Sequence, residues 1–200
     1  MRYSAEETTK RIETFQTDLK ALSSVEVIRK YITFGEVAAL EEHNYYQLKY
    51  EISDFFEIHP SQVLMVGSGK TGFSISEKLH AKPPKKRYRH FSEESDLDMA
   101  IVSQELFDII WKEVIEFSDD KALWPRSDDF KNYLFEGWIR PDKLPPSFTF
   151  KNGKEWWEFF RKLTSKGTYG PYKIAAGLYK SWYHLERYQA VTVNECKQLL

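Results

Sequence analysis

Cysteine is almost missing from this chain: Cys196 is the only one in 200 residues. That excludes an intramolecular disulfide framework and any zinc site built on clustered thiolates. Long hydrophobic runs are missing too, since nothing approaches the ~18 consecutive apolar residues that read as a membrane span. The opening MRYSAEETTKR has no apolar core of the secretory kind. A cytoplasmic protein with no membrane partner is the expectation. An excess of either charge is also lacking. Twenty-nine Lys and Arg against 30 Asp and Glu leave a net charge of −1, so any nucleic-acid partner would need a local basic patch. Internal repeats and low-complexity tracts are absent. What is plentiful is aromatic: 16% of residues, six of them tryptophan, which implies a large aromatic core.

The residue patterns imply a mixed α/β fold, with helices packed on a short twisted sheet. Ser4-Ala5-Glu6-Glu7 has the form of a capping box. Ile12, Phe15, Leu19 and Leu22 then repeat at helical spacing, which predicts a helix over about 5–22. A shorter helix is expected from Val25 to about Ile32, and a third, starting at Thr33 or Gly35, to about Phe56. His59-Pro60 should close it, because the residue before proline is pushed out of helical geometry. Val63–Val66 is too short for a helix and too apolar for a surface strand, so it should be a central strand. A short helix from Ser74 to about Leu79 is expected to follow. Ser103 should cap a helix to about residue 117, a helix should lie near Asp128–Gly137, and Asn152 should cap one bearing Trp156, Phe160 and Leu163. Tyr172–Lys180 has the composition of another strand, and Ser181–Gln189 that of the last substantial helix.

The stretch that carries chemistry runs from Val63 to Val102. An apolar strand breaks into Gly67-Ser68-Gly69-Lys70-Thr71-Gly72, and Ser95-Asp96-Leu97-Asp98-Met99 opens a second strand. Strand side chains alternate, so Asp96 and Asp98 should share one face, while Leu97, Met99 and Ile101 fill the other. Paired carboxylates at a strand start suit Mg²⁺, which takes hard oxygen ligands and keeps substrate phosphates in its shell. Gly69-Lys70-Thr71 after a strand invites comparison with a P-loop. That motif needs a second glycine six residues before the glycine-lysine pair closes, where this chain has Leu64.

On Val66-Gly67-Ser68 and Asp96-Leu97-Asp98-Met99, with Ser95 before the pair, the chain resembles the DNA-polymerase-β-like nucleotidyltransferase superfamily. The matching motifs cover about a fifth of the chain. The resemblance implies a nucleotidyltransferase fold over 61–200; the helical spacing of residues 1–60 makes them an N-terminal helical segment packed on it, in one continuous domain. The resemblance implies an activity too: Mg²⁺- or Mn²⁺-dependent transfer of a nucleoside monophosphate from an NTP to a hydroxyl of RNA, protein or another nucleotide. Gly67 and Ser68 would hold the triphosphate, Lys70 or a basic residue of 78–89 would neutralise phosphate charge, and Asp96 and Asp98 would bind two metal ions. Small bacterial members of the superfamily occur in toxin–antitoxin and phage-defence loci, and the resemblance suggests that setting.

The superfamily usually carries a third carboxylate on a later strand, and Tyr172–Lys180 contains no acid. Asp128, Asp129, Glu136, Asp142 and Glu186 are the remaining candidates. A catalytically degenerate protein of the same fold, acting as a nucleotide sensor or interaction partner, is the alternative. Lys78, Lys82, Lys85, Lys86, Arg87 and Arg89, with Tyr88 and His90, read either as a solvated loop or as a nucleic-acid contact. Lys180 or Ser181 could also reach an incoming nucleotide.

Overall fold

The computed structural model describes residues 3–77, 83–120, 124–146 and 151–200. Ser4 and Ser23 each cap a helix: Ser4 accepts from the Glu7 amide while Glu7 reaches back to the Ser4 amide, and Ser23 with Glu26 does the same. Helix α1 (Ala5–Ala21) and helix α2 (Ser24–Ile28) follow these caps, and α2 runs on into a π-helical turn over Arg29–Thr33. Residues 34–41 are irregular, so the third helix, α3 (Glu42–Phe55), starts later than the apolar spacing suggested. Pro60–Gln62 forms a 3₁₀ turn into strand β1 (Val63–Val66). The five-residue helix α4 (Gly67–Thr71) leads away from it.

Strand β2 (Leu97–Val102) runs antiparallel to β1. Helices α5 (Gln104–Asp120) and α6 (Ser127–Phe135) follow, then the two-residue strand β3 (Trp138–Ile139). Helix α7 (Lys151–Ser165) leads to β4 (Ile174–Tyr179), which lies parallel to β2 and antiparallel to β3. The sheet order is β1-β2-β4-β3. Helix α8 (Trp182–Gln198) ends the chain and is about twice the expected length, its buried Val193 and Cys196 extending the apolar stripe.

Strand alternation divides the core in two. Val63, Met65, Leu97, Met99, Ile101 and Leu178 meet α3, α5 and α7 on one face. Leu64, Val66, Ala100, Val102 and Tyr179 meet α1, α2 and α8 on the other. Helices therefore cover both faces of a mixed sheet, as its near-continuous apolar strands require.

Three other expectations are corrected. Residues 74–77 form no helix; Phe73 bridges His90 instead, and the Ser74 amide donates to the Arg89 carbonyl. The rest of that expected helix, 78–79, lies outside the described residues. Asn152 is not a cap but lies inside α7, which starts at Lys151. The basic segment is only partly a solvated loop. Arg87 pairs with Glu77 and Glu195, and Tyr88 packs edge-on against Phe15. Residues 78–82 lie outside the described part.

Candidate functional site

The β1–β2 register sets Val66 opposite Asp98, so the chain leaves β1 beside the start of β2. Gly67 there has φ +64, a conformation glycine adopts without cost. A Cβ on it would stand 2.9 Å from Asp98 Oδ2. The glycine thus serves both the turn and the close approach of the backbone to the carboxylate. Ser68 follows on the first turn of α4 and is half-buried.

Asp96 lies just before β2 and Asp98 within it, and both side chains are exposed. Both line one cleft of about 930 Å³, within the ~300–1,000 Å³ typical of small-molecule sites. Its floor is Ile174, Ala175 and Ala176 of β4, and its far wall is α7. On that wall Lys154, Trp157, Arg161 and Thr164 recur at helical spacing and face the same space.

Four cations border the cleft: Arg140, Lys154, Arg161 and Lys173. Arg140 is held in place by a two-pronged pair with Asp142, at 2.9 and 3.1 Å, and lies over the Trp138 and Tyr133 rings. Burial weighs against its charge, but Asp142 and Tyr133 more than offset that and raise its pKa. Lys154 stands 3.8 Å from Glu158. Among the described residues, the side chains of Arg161 and Lys173 make no ion pair or hydrogen bond. Asp98 is felt by two nearby phenols. Burial first, then the Tyr188 and Asp98 charges, hold the Tyr179 hydroxyl well above its ordinary pKa. Sequence reasoning passed over all four cations, because they come from the end of β3, from α7 and from the approach to β4. The spacing of Lys154, Trp157 and Arg161 along one helix face was the available signal.

Lys70 is elsewhere. It is 3% exposed, does not line the cleft, and has no hydrogen bond or ion pair among the described residues. Burial first, then the charges of Lys49 and Arg11, lower its pKa to about 8. Lys180 and Ser181 are likewise remote. Because β2 and β4 are parallel, the Ala175 end of β4 meets Asp98, and Lys180 follows the opposite end, paired with Asp108.

The candidates for a third carboxylate separate in the same way. Glu186 is taken by Arg29, Glu136 by Arg187 and Asp129 by Lys143, while Asp128 stands by Lys131. Asp142 alone of the five lines the cleft, tied to Arg140. The strand position beside Asp98 is Ala175.

Two carboxylates open to one cleft are a donor set that suits a magnesium ion sharing its shell with a ligand's phosphates. Cations on the facing wall suit the remaining phosphate charge. No family model matches the chain, and neither a curated protein nor a solved structure matches it.

Proposed function

We propose that this protein is a nucleotidyltransferase that moves a nucleoside monophosphate from an NTP to a hydroxyl. The observation that carries the reading is the cleft itself, with Asp96 and Asp98 at one side and Arg140, Arg161 and Lys173 at the others. In the transfer, the acceptor oxygen bonds to the α-phosphorus as the bond from that phosphorus to its bridging oxygen breaks. Pyrophosphate leaves with the electron pair. Asp96 and Asp98 would hold magnesium, which stabilises charge on the phosphates. Arg161 and Lys173 would bind the phosphate tail, and Trp157, 43% exposed, offers a surface for stacking. The acceptor's proton would pass to water, since β4 offers Ala175 beside Asp98.

That alanine supports a second reading, a nucleotide-binding protein of the same fold that performs no transfer. One assay separates the two. Labelled NTPs, Mg²⁺ or Mn²⁺, and RNA or cell extract are incubated with the native chain and with Asp96→Asn/Asp98→Asn. The proposal expects label in an acceptor, reduced about a hundredfold or more in the double variant. Retained Mg²⁺–NTP binding without label would establish the second reading. Absence of both would overturn the site.

A further inference from the structure

Helix α4 carries a cation that the fold encloses without balancing. Lys70 is 3% exposed and makes no hydrogen bond or ion pair among the described residues. The irregular segment 34–41 lies against its backbone: the Ala38 amide donates to the Gly69 and Lys70 carbonyls, and the Ala39 amide donates to that of Gly69. Both alanines are buried, and neither brings a charge.

The charges that act on Lys70 are themselves positive, those of Lys49 and Arg11. Lys49 comes from α3, which is fixed beside β1 where the Tyr45 hydroxyl accepts from the Met65 amide at 3.1 Å. Its ammonium stands over the Tyr45 ring, 5.5 Å from the centroid, and burial lowers its pKa as well. Among the described residues Lys49 has no ion pair or hydrogen bond either. Arg11 comes from α1 and is already engaged. Its Nε donates to the Thr71 carbonyl at 3.3 Å, and its guanidinium lies over Tyr3, whose hydroxyl donates to Glu36. Two lysines, one buried and one half-buried, are left without a counter-charge, and Arg11 adds to their field.

A buried cation is expensive unless it is paired. It is relieved either by giving up its proton or by taking up an anion, and a pKa of about 8 leaves most of Lys70 protonated at neutral pH. We propose that Lys70 and Lys49 bind a phosphate group between α3 and α4, apart from the nucleotide cleft. Each ammonium is a point charge with three donors, so the pair suits a compact dianion with several acceptor oxygens. A carboxylate would neutralise only one of them. Neither lysine lines the cleft that holds Asp96 and Asp98. The site therefore rests on the burial of these two cations and stands whether or not the cleft transfers nucleotide.

The probe is inorganic phosphate, titrated into the full chain near pH 7 at constant ionic strength, with Tm as the readout. The proposal expects a saturable rise, about 5–10 °C at a hundred times the midpoint concentration. Acetate should give little. Lys49→Gln, at a half-buried position, and Lys70→Met should each weaken phosphate binding about tenfold or more and remove most of the rise. Arg161→Gln/Lys173→Gln, which removes the two unpaired cations of the nucleotide cleft, should retain it. Methyl phosphate separates two sources: a rise equal to that of inorganic phosphate assigns the site to phosphate esters, a smaller one to the free ion, and either supports the site. A rise that grows with concentration and never saturates is a general salt effect and would overturn the proposal. So would an equal rise in the two lysine variants, an equal rise with acetate, loss of the rise in the cleft variant, or no rise at all.

Discussion

Lys70 illustrates how a residue can be conspicuous in sequence and take an unexpected place in the fold. The resemblance to a nucleotidyltransferase offers it as a phosphate contact, yet its ammonium is buried beside Lys49 and Arg11. Its folded pKa lies below the unfolded value, so between about 8 and the ordinary lysine range the unfolded chain binds more protons. Stability therefore rises with pH through that window, and the burial cost is fully present below it. Lys70→Met, which keeps the volume, is expected to stabilise the protein at neutral pH by on the order of 1–3 kcal/mol. The gain should shrink as pH approaches about 10. Urea unfolding of both proteins at the two pH values measures it, and a pH-independent difference would contradict the burial account. Asp96 and Asp98, by contrast, were legible as a pair because strand alternation needs only local sequence.

Elements with a local cause were equally legible. The Ser4 capping box, the four-residue apolar strand and the β4 strand all come from patterns within a few residues. Strand β3 was not legible, because two residues carry no period. Its identity comes from a contact: Trp138 pairs with Tyr179, and its ring stacks on that tyrosine at an interplanar angle of 2°. The indole lies directly on Gly177, and a Cβ there would run into Nε1. That nitrogen is buried without a hydrogen bond among the described residues, so the Tyr179 stack and Arg140 over its face, not its polar group, hold the ring in place. Gly177→Ala should dislodge the indole and destabilise the fold by about 1–3 kcal/mol. Thermal or urea unfolding reads the loss, and a protein as stable as the native one would show that the ring yields freely.

At the scale of the whole molecule, the parallel register of β2 and β4 decides the chemistry of the candidate site. It brings Ala175 beside Asp98 and sends Lys180 to the other end of the sheet. If the cleft is the transfer site, Ala175→Asp adds a carboxylate next to the existing pair. The variant is expected to bind Mg²⁺ more tightly by calorimetry and to transfer nucleotide about tenfold faster or more. Without the metal it should be less stable, because like charges crowd one strand end. A rate and metal affinity equal to the native values would remove Ala175 from the proposed mechanism. On α7, Lys154, Trp157 and Arg161 border the cleft, while Glu155, Phe159 and Lys162 face the opposite side, towards α3 and α5.

The sequence by itself determined the Ser4 cap, the apolar strands, the acid pair and the glycine turn after β1, since each depends on neighbours a few residues away. It also implied a mixed α/β architecture without a membrane-spanning helix, which the described residues bear out. Only the tertiary structure decided which groups share a cleft. Arg140, Lys154, Arg161 and Lys173 lie more than forty residues beyond Asp98 in the chain, and strand pairing together with the packing of α7 brings them to it. The burial of Lys70 has the same origin. Side-chain environment is set by long-range packing, and no local period in the sequence encodes it.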